Sequence, residues 1–190
     1  MEEQKIDRRV RKTKSQLRQA LMQLMTEKPF KSISVRELSE RADINRGTFY
    51  IHYRDVSDLL QHLEDEMAER LITVCRKYAY TDIAVEAFPY LTELYRFAQE
   101  NADLCQVLLG PNGDRVYTER ICSILHSYFL RDFVARFYSG DRDRLEYFCR
   151  FIVSGNLTLT LQWLSSGTKE TPEEMAQLAG GIIMDGVRAL

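Results

Sequence analysis

The chain has 190 residues and a mass of 22.2 kDa, with 26 Lys+Arg against 28 Asp+Glu, a net charge of -2 and a pI of about 6.0. At 45% hydrophobic and 28% charged residues it has a globular composition, long enough for one sizeable core and a small satellite domain, which excludes a disordered tail. No apolar run approaches the ~18 residues of a membrane span and the opening MEEQKIDRRVRKTK has no secretory core, so a cytosolic protein without a membrane partner is expected.

The small net charge hides a division. Residues 1–54 carry 13 basic side chains against 7 acidic ones, a balance of +6, so residues 55–190 carry -8. A cationic unit fused to an anionic one points to a polyanion partner for the first segment. The four cysteines, Cys75, Cys105, Cys122 and Cys149, are widely spaced without a CxxC, and there are three histidines. Neither a disulfide framework nor a metal site is indicated, and reduced, mostly buried thiols are expected.

Helical periodicity dominates, and the chain reads as all-α: a small N-terminal three-helix domain, a long linking helix and a larger helical bundle. Arg8 to Lys14 is a basic arm (residues 1–14), open to two readings: a solvated tail, or an arm that tracks a DNA backbone or enters a minor groove. Thr13 and Gln16 form a capping box that would start the first helix, whose apolar stripe is Leu17, Ala20, Leu21, Leu24 and Met25. Ser34 and Glu37 form a second box ahead of a short helix to Arg41; Asn45 caps a third helix, Arg46 to Tyr53, and Asp55 a fourth, Val56 to Tyr78.

Longer segments follow at about Asp82–Glu100, Leu104–Leu109, Asp114–Tyr138, Asp141–Ser165 and Pro172–Leu190, divided by turn clusters such as Gly110-Pro111-Asn112-Gly113 and Ser165-Ser166-Gly167. Leu157 to Leu161 alternates like a strand, but it sits inside the longer helical register of Phe148, Phe151, Ile152, Gly155, Leu159 and Trp163. Thr171, Pro172 and Glu174 open the last helix with a capping box and a proline at its first position. Met175, Leu178, Ala179, Ile182, Ile183 and Gly186 then form a stripe that permits close helix approach.

The informative stretch is Phe30 to Leu60. Two short capped helices separated by a tight turn in a basic segment are what a helix-turn-helix requires, the second helix lying in a major groove with its first residues on base edges. Arg46 would begin that helix, with a guanidinium able to fork onto guanine. Gly47 costs helix propensity, which suits a close backbone approach. Thr48, Tyr50 and His52 fall on or near the exposed side, Phe49 turns inward with Leu38, Ala42 and Ile44, and Tyr50, His52 and Tyr53 suit phosphate oxygens.

These residues resemble the N-terminal domain of the TetR/AcrR family of transcriptional regulators. The family's pattern is met by Ser34-Val35-Arg36-Glu37-Leu38-Ser39, Asp43-Ile44-Asn45, Arg46-Gly47-Thr48-Phe49-Tyr50-Ile51-His52-Tyr53 and Asp55-Val56-Ser57-Asp58-Leu59-Leu60. Two positions depart from it. Asp43 stands where the turn glycine is usual, which predicts a left-handed aspartate. Val56 stands where a phosphate-contacting Lys is usual, which puts that contact in question.

The resemblance implies a helix-turn-helix domain at 15–60, with its motif at about 33–53, and a regulatory and dimerisation domain at 61–190. It implies double-stranded operator DNA as partner, contacted by Ser34, Arg36, Asn45, Arg46, Gly47, Thr48, Tyr50, His52 and Tyr53. Similarity of the C-terminal region to one TetR subgroup implies a homodimer through the last two helices, at Gly155, Leu159, Trp163, Met175, Leu178, Ile182 and Ile183. A repressor in the bacterial cytosol, associated with the nucleoid and released by a small-molecule effector, follows from the same resemblance; the binding residues for such an effector are not identifiable from the sequence.

No Ser/His/Asp order, phosphate loop or HxxxH pair is present, so no enzyme, cofactor or metal is expected, and His126 reads as a satisfied helix histidine. The alternative is an adaptor that keeps the fold but works through protein contacts of its bundle, with Asp43 and Val56 as its support.

Overall fold

The computed structural model describes residues 2–78, 88–129 and 140–190. Within them the chain forms nine α-helices, one short 3-10 turn (Phe30–Ser32) and no strand. The helices are α1 (Glu2–Glu27), α2 (Val35–Arg41), α3 (Arg46–His52), α4 (Val56–Tyr78), α5 (Phe88–Glu100), α6 (Ala102–Leu108), α7 (Arg115–Phe129), α8 (Arg142–Ser165) and α9 (Pro172–Arg188). The all-α reading holds, and Leu157 to Leu161 is helical within α8. The expected start at Asp82 and end at Tyr138 lie outside the described residues.

One expected boundary is corrected. α1 does not begin at a Thr13–Gln16 box; it runs back to Glu2, so the basic segment is a helix rather than a tail. Residues 2–12 contain no Gly or Pro, are mostly good helix formers and open with Glu2 and Glu3 where the helix dipole favours acids. Nothing there stops the helix, so Thr13 has no free amide to cap.

The chain divides into two compact units, residues 1–67 with 107–114, and residues 68–106 with 115–190. In the first, the predicted stripe of α1 is buried with Leu38, Phe49 and Leu59. Its helices are joined by ion pairs: Arg41 to Glu27 at 2.9 Å, Lys28 to Glu37 at 2.7 Å and Arg18 to Glu66 at 3.0 Å. The segment from 107 to 114 closes this unit through Asn112, whose Nδ2 donates to the Met25 carbonyl at 3.0 Å while its own carbonyl accepts from the Phe30 amide at 3.3 Å. Gly113 is required there, because a Cβ would lie 2.1 Å from the Leu108 carbonyl oxygen.

The second unit is built around α9 packed on α5 and α8 packed on α7. Trp163 sits at its centre, edge-on to Tyr95 at 5.6 Å, with its Nε1 donating to the Glu170 carbonyl at 3.0 Å. The Tyr95 hydroxyl donates to Asn156 Oδ1, and burial pushes its pKa up to about 12. The predicted box at Thr171 is complete, with Glu174 N to Thr171 Oγ1 at 3.2 Å and Thr171 N to Glu174 Oε2 at 2.8 Å. Gly186 lets α8 and α9 meet, since a Cβ there would lie 2.6 Å from the Phe148 ring. The cysteines are free; Cys75, Cys105 and Cys149 are buried, and Cys122 is half-buried.

Candidate nucleic-acid interface

The helix-turn-helix is assembled by local chemistry. Ser34 Oγ accepts from the Glu37 amide at 3.2 Å and starts α2, but the box is only half made because the Glu37 carboxylate turns to Lys28. The turn passes through Asp43 at φ 52°, the left-handed aspartate expected from its position, and the Ile44 amide returns to the Ser39 carbonyl. Asn45 Oδ1 then accepts from the Gly47 amide at 2.8 Å and starts α3. That contact accounts for part of the need for glycine: a Cβ at residue 47 would stand 3.3 Å from the capping oxygen.

α3 presents one face outward. Arg46, Gly47, Tyr50 (59% exposed) and Ile51 (77%) are exposed, Thr48 and His52 flank them half-buried, and Phe49 is wholly inside. Arg46 has no ion-pair partner among the described residues, so its guanidinium stands free at the first position of the helix. Ser34 and Arg36 at the start of α2 are also exposed, Arg36 with its Nε bonded to Glu40 at 2.9 Å. Asn45 is exposed as well, although its side chain serves the cap.

Tyr53 is corrected. It is 7% exposed and packs against Phe49 and His62, with ring centroids 5.9 and 5.4 Å away. Burial, followed by the Asp58 charge, raises the pKa of its phenol. As the residue that ends α3, it turns under the helix to close the domain, and its ring does not share the outer face. Ile51 was missed because it occupies a position that the family pattern leaves open; its exposure marks it as an apolar group on the outer face. Arg54 was missed too. It is 86% exposed, with its amide and guanidinium donating to Asp58 at 2.9 and 3.1 Å. The Arg54 amide first, and its guanidinium second, hold the Asp58 carboxyl below its ordinary value. Val56 is buried, so its side chain serves the core.

Among the expected interface residues of the last two helices, Trp163, Met175 and Ile183 are buried within their own unit, as α9 turns Met175, Ala179 and Ile183 inward. Gly155, Leu178 and Ile182 are exposed and Leu159 half-buried, and the exposed Tyr147 and Phe151 extend the α8 face.

The pattern described as "Bacterial regulatory proteins, tetR family" matches residues 17–63, and "Transcriptional regulator C-terminal region" matches residues 86–185, just over half of the chain. The chain belongs to the TetR family of transcriptional regulators. As a TetR-family regulator it is a DNA-binding protein rather than an enzyme. It is 32% identical over 71 residues to the HTH-type transcriptional regulator YxbF of Bacillus subtilis (strain 168), a match spanning 37% of this chain and only 19% of that protein's length. A TetR-family regulator from Syntrophomonas wolfei str. Goettingen shares the fold at TM-score 0.67 and 15% identity, covering 95% of this chain and 97% of that one. FadR of Bacillus subtilis, solved in complex with stearoyl-CoA, is similar at TM-score 0.59 and 14% identity over 93% and 98%.

Proposed function

We propose that this TetR-family regulator is a homodimeric repressor that acts on chromosomal DNA in the cytoplasm. Two copies of α3 enter successive major grooves of a pseudo-palindromic operator, about 34–36 Å or a multiple apart. The observation that carries the reading is the free, exposed Arg46 at the head of a capped helix whose outer face continues through Gly47, Tyr50 and Ile51. Arg46 forks onto a guanine, Tyr50 bonds phosphate or a base edge, and Ile51 offers an apolar contact to a thymine methyl. Ser34, Arg36, Thr48 and His52 flank that face, Asn45 and Gly47 hold its backbone, and Tyr53 supports it from within.

The support for dimerisation is the exposed apolar set Tyr147, Phe151, Leu178 and Ile182, with open space beside Gly155 and Gly181. Exposed large apolar groups, where they adjoin, mark association surfaces. The stearoyl-CoA complex of FadR supports regulation of this chain by a small molecule. The adaptor alternative is not favoured: Asp43 takes the turn conformation without disrupting it, and Val56 has a packing role.

Fluorescence anisotropy on DNA flanking the protein's own gene tests the reading. Arg46→Ala and Tyr50→Ala should each weaken binding by roughly 5- to 150-fold, the equivalent of 1–3 kcal/mol. Unchanged affinity in both overturns the assignment of α3. Sedimentation of Leu178→Glu/Ile182→Glu should show a monomer; a dimer there overturns the assigned interface.

A further inference from the structure

Both walls of an open cleft of about 500 Å3 belong to the C-terminal unit, α7 on one side and α8 on the other. Helical spacing of four aligns Thr118, Cys122 and His126 on α7, with Ser123 beside them, while Arg150, Val153 and Ser154 form the α8 wall. The volume lies within the roughly 300–1,000 Å3 usual for small-molecule sites.

Two features mark the cleft as unfinished. Nε2 of His126 is buried without a hydrogen bond; Glu146 Oε1 lies 3.3 Å away but outside hydrogen-bond geometry. Buried polar atoms almost always have a partner, so an orphan in a cleft calls for one from outside the chain. Arg150 supplies the second feature. Its Nε donates to Glu146 at 2.8 Å, which fixes the guanidinium, and its terminal nitrogens make no further bond among the described residues.

We propose that this cleft binds a small hydrophilic carboxylate. The carboxylate lies across the terminal nitrogens of Arg150, whose planar fork matches it, and accepts from His126 Nε2–H. The hydroxyls of Ser123 and Ser154 bond the polar body of the ligand. The two acidic groups beside the cleft are already engaged, Glu119 by Arg115 at 3.1 Å and Glu146 by the Nε of Arg150 at 2.8 Å, which leaves the terminal nitrogens of Arg150 for the ligand. Among the described residues Val153 and Cys122 are the apolar side chains of the lining, a small share of what a long acyl chain would need. Nor is this a metal site, because no three His, Cys, Asp or Glu side chains converge among the described residues. Burial and Glu119 raise the Cys122 thiol, so the residue lines the wall as a neutral group. The proposal names an effector class for the regulator proposed above and rests on that reading only for its effect on DNA.

The test titrates the full chain with lactate, malate, 2-oxoglutarate and citrate, and with stearoyl-CoA as contrast, by calorimetry and by nitrogen-15 NMR of the histidine rings. At least one acid should saturate and shift the His126 Nε2 resonance, identified by its loss in His126→Asn. Arg150→Gln and His126→Asn should each weaken that binding at least tenfold. Absence of saturable binding by all four acids, equal binding in both variants, or binding by stearoyl-CoA alone overturns the proposal. Operator affinity of Arg150→Gln without acid should match the parent chain; acid binding by a chain that binds no DNA supports the cleft while refuting the regulator reading.

Discussion

Phe49 and Tyr50 are neighbours in sequence with opposite assignments, and exchanging each for alanine separates folding from recognition. Phe49 is wholly buried, 5.9 Å from the Tyr53 ring and edge-on to Tyr50 at 5.5 Å. Phe→Ala in a core costs about 3–5 kcal/mol, a large share of the 5–15 kcal/mol that holds a domain folded. At a urea slope of about 2 kcal/mol/M, that lowers the unfolding midpoint by roughly 2 M. Tyr50 loses only its contact with Phe49, worth about 0.5–1.5 kcal/mol at most, so its midpoint should move by less than about 0.7 M. Affinity for DNA should respond the other way: Tyr50→Ala binds weakly while remaining folded. Far-UV circular dichroism is the required probe, because the single tryptophan, Trp163, lies in the other unit and its fluorescence reports that one. A Tyr50→Ala chain as unstable as Phe49→Ala, or an unshifted Phe49→Ala, refutes the assignment of faces on α3.

Asn45→Ala should destabilise by about 1 kcal/mol through loss of the cap. Because a Cβ at 47 crowds the Asn45 oxygen, Gly47→Ala should gain more stability in the Asn45→Ala background than in the parent chain; an additive double-mutant cycle in thermal unfolding contradicts this. Asp58 titrates below its ordinary 3.8 in the folded state, so its contribution is present above pH 3.8 and disappears as pH falls through the lower folded value. Asp58→Asn should therefore lose melting temperature less steeply with acid below about pH 4, and parallel pH curves would exclude the role. If the helical basic segment tracks phosphates, Arg8, Lys12 and Lys14 replaced by Gln should flatten the salt dependence of DNA binding by up to about 0.9 in log–log slope per lost contact. An identical slope returns that segment to a solvated role.

The parts of the fold that were legible in the sequence are those decided within a few residues. Ser34, Asn45 and Asp55 each accept from an amide in the first turn of the helix that follows them, and the complete box at Thr171 needs only Glu174. The Thr13 box failed for an equally local reason: a cap acts only where a helix begins, and the preceding residues were better helix formers than the motif was a stop signal. Long-range partners decided the rest. The apolar arc of α9 is wide enough to face two ways, and its packing selects Met175 and Ile183 for the interior while Leu178 and Ile182 remain outside. Tyr53 could not be assigned without knowing that His62, nearly two turns into α4, would meet its ring. The unsatisfied nitrogen of His126 became visible only once Glu146 and Arg150, on another helix, were placed around it.

The segment Val107–Asp114 means that the DNA-binding unit is not an N-terminal module in the genetic sense. A fragment ending near residue 63 would lack Asn112, and with it the partners of the Met25 carbonyl and the Phe30 amide. Chimeras that splice this head onto another regulator's body should therefore carry the loop as well, with Gly113 intact. The same arrangement joins the two units by three covalent passages, at 67–68, 106–107 and 114–115. A break in α4 alone would therefore leave two covalent links between the units.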